Sequence, residues 1–249
     1  MKRIAVISDT HCGHRFGVTP PEWQNSLVQK LVWDWLVEQA EWAGEVYAVI
    51  GLGDMIDGPA FKNYGVELLT TDRIVQCEMA AVTMRVFNNP SGKMHIVAGT
   101  AYHSGSHEDW ERVLSEMLHC DFSSELITKI EKLTFHFRHH TGTSGTPYGQ
   151  SGILSKDKLM TNLRMQYEIG EGCDVAVRAH AHRYTYVEDE SGAIVLTPGM
   201  QVNSNFGRRR CNGTTNIGIV FFDIDGDGFS CHKRMFRLRE HAPQRISQL

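Results

Sequence analysis

Aspartate and histidine recur in this chain in short groups that suit metal coordination. Asp9-Thr10-His11 sets a carboxylate beside an imidazole, Gly53-Asp54-Met55-Ile56-Asp57-Gly58 carries a pair of carboxylates, and His180-Ala181-His182 a pair of imidazoles. Two further histidine sites are Gly99-Thr100-Ala101-Tyr102-His103 and the neighbours His139-His140. Carboxylates and imidazoles together suit Mn²⁺, Fe, Zn²⁺ or Ni²⁺ better than Ca²⁺ or Mg²⁺. One bridging carboxylate can hold two such ions roughly 4 Å apart. A pair of this kind acidifies a bridging water and stabilises both the attacking and the leaving oxygen of a phosphate undergoing displacement.

Positioning such groups requires a rigid frame, and the hydrophobic pattern predicts one. Ile4 to Ile7 and Val46 to Leu52 read as buried strands, as do Met94 to Ala98, Leu133 to Phe137 and residues 174–179. Each of the five groups follows one of these runs, at the strand ends where α/β sheets present their functional groups. Helices are expected between them. Leu27, Leu31, Val32, Trp35 and Leu36 recur at helical spacing, with Gly44 placed to end that helix. Asp72 to Phe87, Asp109 to Leu118 and Leu154 to Ile169 give three more. This alternation predicts parallel βαβ units in the first half. Residues 141–152 read as a Gly/Ser/Thr-rich loop. Further strands are predicted at 184–188, 193–197, 217–224 and 229–236, with short glycine turns at Ser191-Gly192 and at Asp225 to Gly228. With no internal repeat and no long linker, residues 1–249 read as one domain in which two sheets pack together.

With these groups in hand, the sequence resembles the calcineurin-like metallophosphoesterase superfamily. That family's series is Asp-x-His, Gly-Asp-x-x-Asp, Gly-Asn-His, a lone His, and Gly-His-x-His. The first two are intact here at 9–11 and 53–57, and the last stands as Ala179-His180-Ala181-His182, with alanine for glycine. The resemblance runs from about residue 4 to 200. It implies an α/β fold, a four-layer α/β/β/α sandwich of two mixed sheets flanked by helices. It also implies two divalent metal ions, with Mn²⁺ preferred. Asp9, His11 and His182 would bind the first and Asp54 would bridge both. His180 and one of His139 or His140 would bind the second, with Asp57 hydrogen-bonded behind the ligands. The third motif departs from the family's. Gly99-Thr100-Ala101-Tyr102-His103 lacks the metal-binding Asn and spaces Gly from His by two extra residues, a variant similar to phage and prophage members of the superfamily. His103 stands in for the catalytic histidine, and Thr100 is left to replace Asn through its hydroxyl or its backbone carbonyl. For the fourth motif, the alternation of Phe135 and Phe137 with His136 and Arg138 favours His139 and keeps His140 as the alternative.

Blander readings exist for each group alone. Asp-x-His after a strand is usually a turn or a helix cap, and Gly-Asp-x-x-Asp-Gly is often only a turn. Their joint occurrence, in order and at successive strand ends, is what favours the metal reading. His107 more often caps a helix than binds a ligand, and Cys12 reads as a buried neutral thiol. Asp223, Asp225 and Asp227 echo the start of a calcium loop, but Arg234 occupies the position of its closing Glu, so a hairpin turn is the better reading.

Composition bounds the function. With 41% apolar and 22% charged residues the chain is ordinary for a globular protein, and its formal charge of −4 gives no basic field to argue for nucleic acid. Arg208, Arg209 and Arg210 form a local basic run that could contact a substrate phosphate or a nucleic-acid backbone. The six scattered cysteines form no CxxC pair and read as reduced thiols of a cytoplasmic protein. No apolar run approaches the ~18 residues of a membrane span. The expected activity is hydrolysis of a phosphate monoester or diester. A nuclease and a non-catalytic, metal-stabilised interaction module are the alternatives.

Overall fold

The computed structural model describes residues 1–59, 65–105, 109–202 and 215–238. Eleven strands and five α-helices are present among them, with one 3₁₀ turn at Pro21–Trp23. The strands are β1 (Lys2–Ile7), β2 (Ala48–Leu52), β3 (Met94–Val97), β4 (Asp121–Ser123), β5 (Leu126–Ile130), β6 (Leu133–Phe137), β7 (Val175–Arg178), β8 (Thr185–Asp189), β9 (Gly192–Leu196), β10 (Ile217–Asp225) and β11 (Gly228–Phe236). The helices are α1 (Leu27–Ala43), α2 (Arg73–Met84), α3 (Ala101–Ser104), α4 (Trp110–Leu118) and α5 (Gly149–Ile169).

The strands form two mixed sheets. One has the order β11-β10-β1-β2-β3-β4, the other β5-β6-β7-β9-β8. In the first, β1, β2, β3 and β4 run parallel and β10 closes antiparallel on β1. In the second, β7 lies parallel to both β6 and β9. The alternation of side chains along a strand explains the layering. Ile4 and Val6 face a core between the sheets, with Ile50, Leu52, Phe135, Phe137, Val177, Val220 and Phe222. Ala5 and Ile7 face the opposite way, into a second core with Trp35, Leu36, Ala80 and Met84 of the outer helices. Ala176, Ile194 and Leu196 pack outward against Leu154 and Met165 of α5. Helix, sheet, sheet and helix therefore stack in four layers, as the sequence predicts.

Local chemistry sets the helix boundaries. Ser26 and Gln29 form a reciprocal capping box at the start of α1, which ends at Gly44 with φ 64°. Asp72 caps α2 and Asp109 caps α4 through side-chain bonds to backbone N–H groups of the first turn. The fourth predicted helix begins five residues earlier than expected, at Gly149 instead of Leu154. There the Thr146 hydroxyl accepts the Gly149 N–H, and Gln150 is buried with its amide donating to Gly142 O. Asp225 to Gly228 forms the hairpin turn between β10 and β11, with Asp223 paired to Arg3 at 2.6 Å. The five described cysteines are free thiols. No helix among the described residues is long and apolar enough to cross a membrane.

Candidate metal centre

The loops leaving β1 and β2 zip together. Asp9 N–H donates to Gly53 O at 2.9 Å, His11 N–H to Asp54 O at 3.1 Å, and Cys12 N–H to Met55 O at 3.0 Å. The Thr10 hydroxyl adds a 2.6 Å bond to Met55 O. The second sheet is tied in where Met200 N–H reaches Asp9 O and Nδ1 of His139 reaches Leu52 O. Asp9 and His11 after β1, Asp54 and Asp57 after β2, Thr100 and His103 after β3, His139 after β6, and His180 and His182 after β7 thus meet at one edge. Close approach of these loops requires glycine at two points. A Cβ at Gly53, whose φ is +78°, would lie 2.5 Å from Nδ1 of His139, and one at Gly99 would collide with the backbone nitrogen of Asp54.

Three sets of carboxylate and imidazole atoms converge within 4.8 Å among the described residues: Asp9, His11 and His182; Asp54, His139 and His180; and His11, Asp57 and His103. In the first, Nε2 of His182 is 3.2 Å from Oδ1 of Asp9 and 3.3 Å from Nε2 of His11. In the second, Oδ2 of Asp54 is 3.1 Å from Nε2 of His139 and 4.0 Å from Nδ1 of His180. The sets adjoin, since Oδ1 of Asp9 also lies 3.9 Å from Nε2 of His139.

Hydrogen bonds behind the rings fix which nitrogen faces the centre. Nδ1 of His139 donates to Leu52 O at 2.7 Å, and Nδ1 of His11 pairs with Oδ1 of Asp57 at 3.0 Å. In the neutral ring each arrangement leaves Nε2 bare and directed inward, the tautomer a metal-binding histidine needs. Oδ1 of Asp9 and Nε2 of His139 are buried and make no well-oriented hydrogen bond within the described residues. Buried polar atoms of that kind are rare without a partner. The donor set, its burial and these two atoms fit a divalent cation.

The electrostatics agree. Burial opposes charge on Asp9, but His182 and His139 hold its carboxyl below the usual range. Asp54 is held well below it by His139 and His103, again against burial. Burial lowers the basicity of His139, yet the Asp54 and Asp9 charges outweigh it and raise the ring to about 10. Without a metal, a proton on His139 supplies the positive charge these carboxylates demand. His11 is driven well below its ordinary value by burial and by His103 and His182, which favours the neutral, ligating ring.

His103 sits beside this cluster. Its Nδ1 donates to Asp57 O at 2.8 Å and its ring centroid is 4.5 Å from that of His11. The ring is partly exposed, and with Nδ1 bonded to Asp57 O its Nε2 is the nitrogen not used in that bond. Thr100 spends both of its donors on Asp54: its N–H lies 2.6 Å and its hydroxyl 3.0 Å from Oδ1. His140 is exposed and belongs to none of the three donor sets; its ring lies 5.0 Å from that of His180. Arg208, Arg209, Arg210 and His107 lie outside the described residues. Cys12 is fully buried, and burial pushes its thiol up to about 11, as expected of a neutral packing residue.

One residue at the site was not anticipated. Glu111 of α4 is fully buried and accepts Met55 N–H at 2.9 Å and Gly99 N–H at 2.5 Å. Burial and the nearby Asp54 charge push its carboxyl up to about 7. It shares the buried face of its helix with Leu114 and Ser115.

No protein-family model and no curated protein matches the chain. Solved structures do. Vps29 from Chaetomium thermophilum superposes with TM-score 0.53 at 15% identity, over 97% of this chain and 92% of that one. An archaeal phosphodiesterase matches with TM-score 0.49 at 14% identity, over 93% and 99%. Vps29 from Entamoeba histolytica in complex with Zn²⁺ gives 0.43 at 11%, over 94% and 99%. The Chaetomium likeness extends over nearly the whole chain and shows the fold.

Proposed function

We propose that this protein hydrolyses phosphate esters through two divalent cations, with Mn²⁺ the preferred ion. Asp9, His11 and His182 would hold one, Asp54, His139 and His180 the other, with Asp54 shared. The observation that carries the reading is the pair of adjoining carboxylate–imidazole sets with their inward, bare nitrogens. When bound, the ions supply an acidified water and charge neutralisation at the phosphate. The chain's own groups do the rest. Asp57 fixes His11 through Nδ1 and fixes His103 through its backbone carbonyl. His103 then presents Nε2, from which a proton can pass to the leaving alcohol or a hydrogen bond to a phosphoryl oxygen. Arg208, Arg209 and Arg210 are proposed, on sequence alone, to contact the substrate phosphate, and a cytoplasmic protein is proposed on the cysteine usage.

A second reading has one observation in its favour. Thr100 gives its hydroxyl to Asp54, so the set around His139 has three protein donors. A non-catalytic module that binds metal for stability would tolerate that loss.

The two separate in one experiment. Metal-stripped protein is re-supplied with Mn²⁺ and assayed on bis-p-nitrophenyl phosphate and p-nitrophenyl phosphate, beside Asp54→Asn and His103→Ala. Metal-dependent turnover is expected, abolished in Asp54→Asn. It should fall about 10²–10⁴-fold in His103→Ala, the contribution of a positioned acid or base, at unchanged metal content. Metal-dependent thermal stabilisation with no turnover would favour the module instead.

A further inference from the structure

Glu111 holds a place in the site that a helix-stabilising role does not require. Its two oxygens are taken by two backbone N–H groups from different loops. Met55 directly follows Asp54 in the chain. Gly99 directly precedes Thr100, whose N–H and hydroxyl both reach Oδ1 of Asp54. One buried carboxylate therefore grips the backbone on either side of the Asp54 side chain. Oδ1 takes the Thr100 N–H and the shorter contact of its hydroxyl, which also reaches Oδ2 at 3.2 Å, and Oδ2 is the oxygen that faces His139 and His180.

We propose that Glu111 is the positioning residue of this site: by joining the 53–58 and 99–103 loops it sets the direction in which Asp54 presents Oδ2 to a metal. The proposal rests on the metal-centre reading above. It makes residues 99–100 an orienting strap for a ligand and gives the altered third motif a purpose without a ligand at position 100. A carboxylate is required because both of its oxygens accept. Glutamine has the same length but a single acceptor, and would turn an NH₂ group against one of the two N–H donors. One loop would then come loose from the other while side-chain volume stays constant.

The test compares wild type, Glu111→Gln and Leu114→Ala, the last a buried apolar residue on the same helix. Co²⁺ and Mn²⁺ are titrated into metal-stripped protein, reading stoichiometry, affinity and the visible Co²⁺ absorption, with unfolding curves for each variant. Glu111→Gln is expected to weaken one of two sites about 10- to 100-fold, the range for residues that orient ligands, and to shift the Co²⁺ spectrum. Leu114→Ala should lose stability and keep wild-type affinity and spectrum. Wild-type metal binding in Glu111→Gln overturns the proposal and leaves the metal centre standing. So does an equal weakening in Glu111→Gln and Leu114→Ala, which would trace the effect to stability. Wild type that binds no metal overturns the metal centre itself and the positioning role with it. Should Glu111→Gln not fold, Thr100→Val decides: removal of the hydroxyl contact to Asp54 is expected to weaken the same site, and unchanged affinity overturns the proposal.

Discussion

Asp157 of α5 offers the sharpest test of how the scaffold holds β7, the strand that delivers His180 and His182. Its carboxylate accepts from Nη2 of Arg178 at 2.9 Å, from Nη2 of Arg138 at 3.0 Å, and from the hydroxyls of Thr141 and Thr161 at 3.0 and 3.1 Å. Arg178 is 0% exposed, whereas the Arg138 side chain is 35% exposed. Truncation by Asp157→Ala strands a buried guanidinium with only neutral acceptors, His136 O, Val177 O and the Thr161 hydroxyl. Breaking a buried pair in this way costs about 3–5 kcal/mol. At about 2–4 °C per kcal/mol for a chain of this size, Tm should fall by about 6–20 °C. Arg138→Met removes a half-exposed pair and should cost about 1 kcal/mol or less. The double variant Asp157→Leu/Arg178→Met should recover most of the loss, because an apolar pair of similar volume avoids the desolvation penalty. Urea and thermal unfolding of metal-free protein measure the three variants against wild type. An Asp157→Ala cost under about 1 kcal/mol, or a double variant no better than the single, would show that Asp157 does not hold Arg178 in this way.

Two further outcomes follow from the same geometry. Gly53→Ala puts a Cβ against the His139 ring at a φ of +78°, so it should cost at least about 1–2 kcal/mol from the backbone alone and lower bound metal, read by metal analysis and unfolding. His136 is buried beside Arg178, and burial first, then that charge, lower it to about 4. A histidine depressed in the folded state contributes stability that is full above about pH 6.5 and lost as pH falls toward 4. That loss approaches about 1 kcal/mol per pH unit. His136→Phe should flatten the stability–pH curve between 6.5 and 5, above the range in which Glu125, held at about 2 by Arg164 despite burial, begins to protonate. Parallel curves for the two proteins would contradict it.

The sequence made the central strands legible because they are buried on both faces. Ile4 to Ile7 and residues 217–224 are near-continuous apolar runs for that reason. Strands β4 and β5 were not foreseen. The first is three residues of Asp-Phe-Ser at a sheet edge, and the second, Leu-Ile-Thr-Lys-Ile, is half exposed, so neither carries a strong apolar signal. That His139 rather than His140 turns inward was legible in outline, since Phe135 and Phe137 point into the core between the sheets and His139 continues their face. Glu111 was hidden by its setting. Charged residues in the first turn of a helix ordinarily face solvent and complement the helix dipole, so Glu-Asp-Trp-Glu-Arg gives no reason to single out one carboxylate. Its partners are backbone N–H groups, which no side-chain pattern reports.

The backbone at the site carries its own argument. Seven described non-glycine residues have positive φ, and five of them are Asp9, His11, Asp54, His180 and His182. Left-handed backbone costs an ordinary residue about 1–2 kcal/mol. Aspartate and histidine enter this region more readily than other non-glycine residues, yet five at one site still carry a cost of about a few kcal/mol together. Turn formation does not explain the concentration, because a turn would be served as well by glycine. The strain is offset by bonds that lock the loops pairwise: Asp9 to Gly53, His11 to Asp54, Met200 to Asp9, and the two Glu111 contacts. A scaffold that holds donor residues in costly conformations presents them already converged, so a cation entering the site would not have to bear the cost of ordering them. Strain of this kind, concentrated in the residues proposed as ligands, is what a preformed metal centre requires and what a set of incidental turns does not.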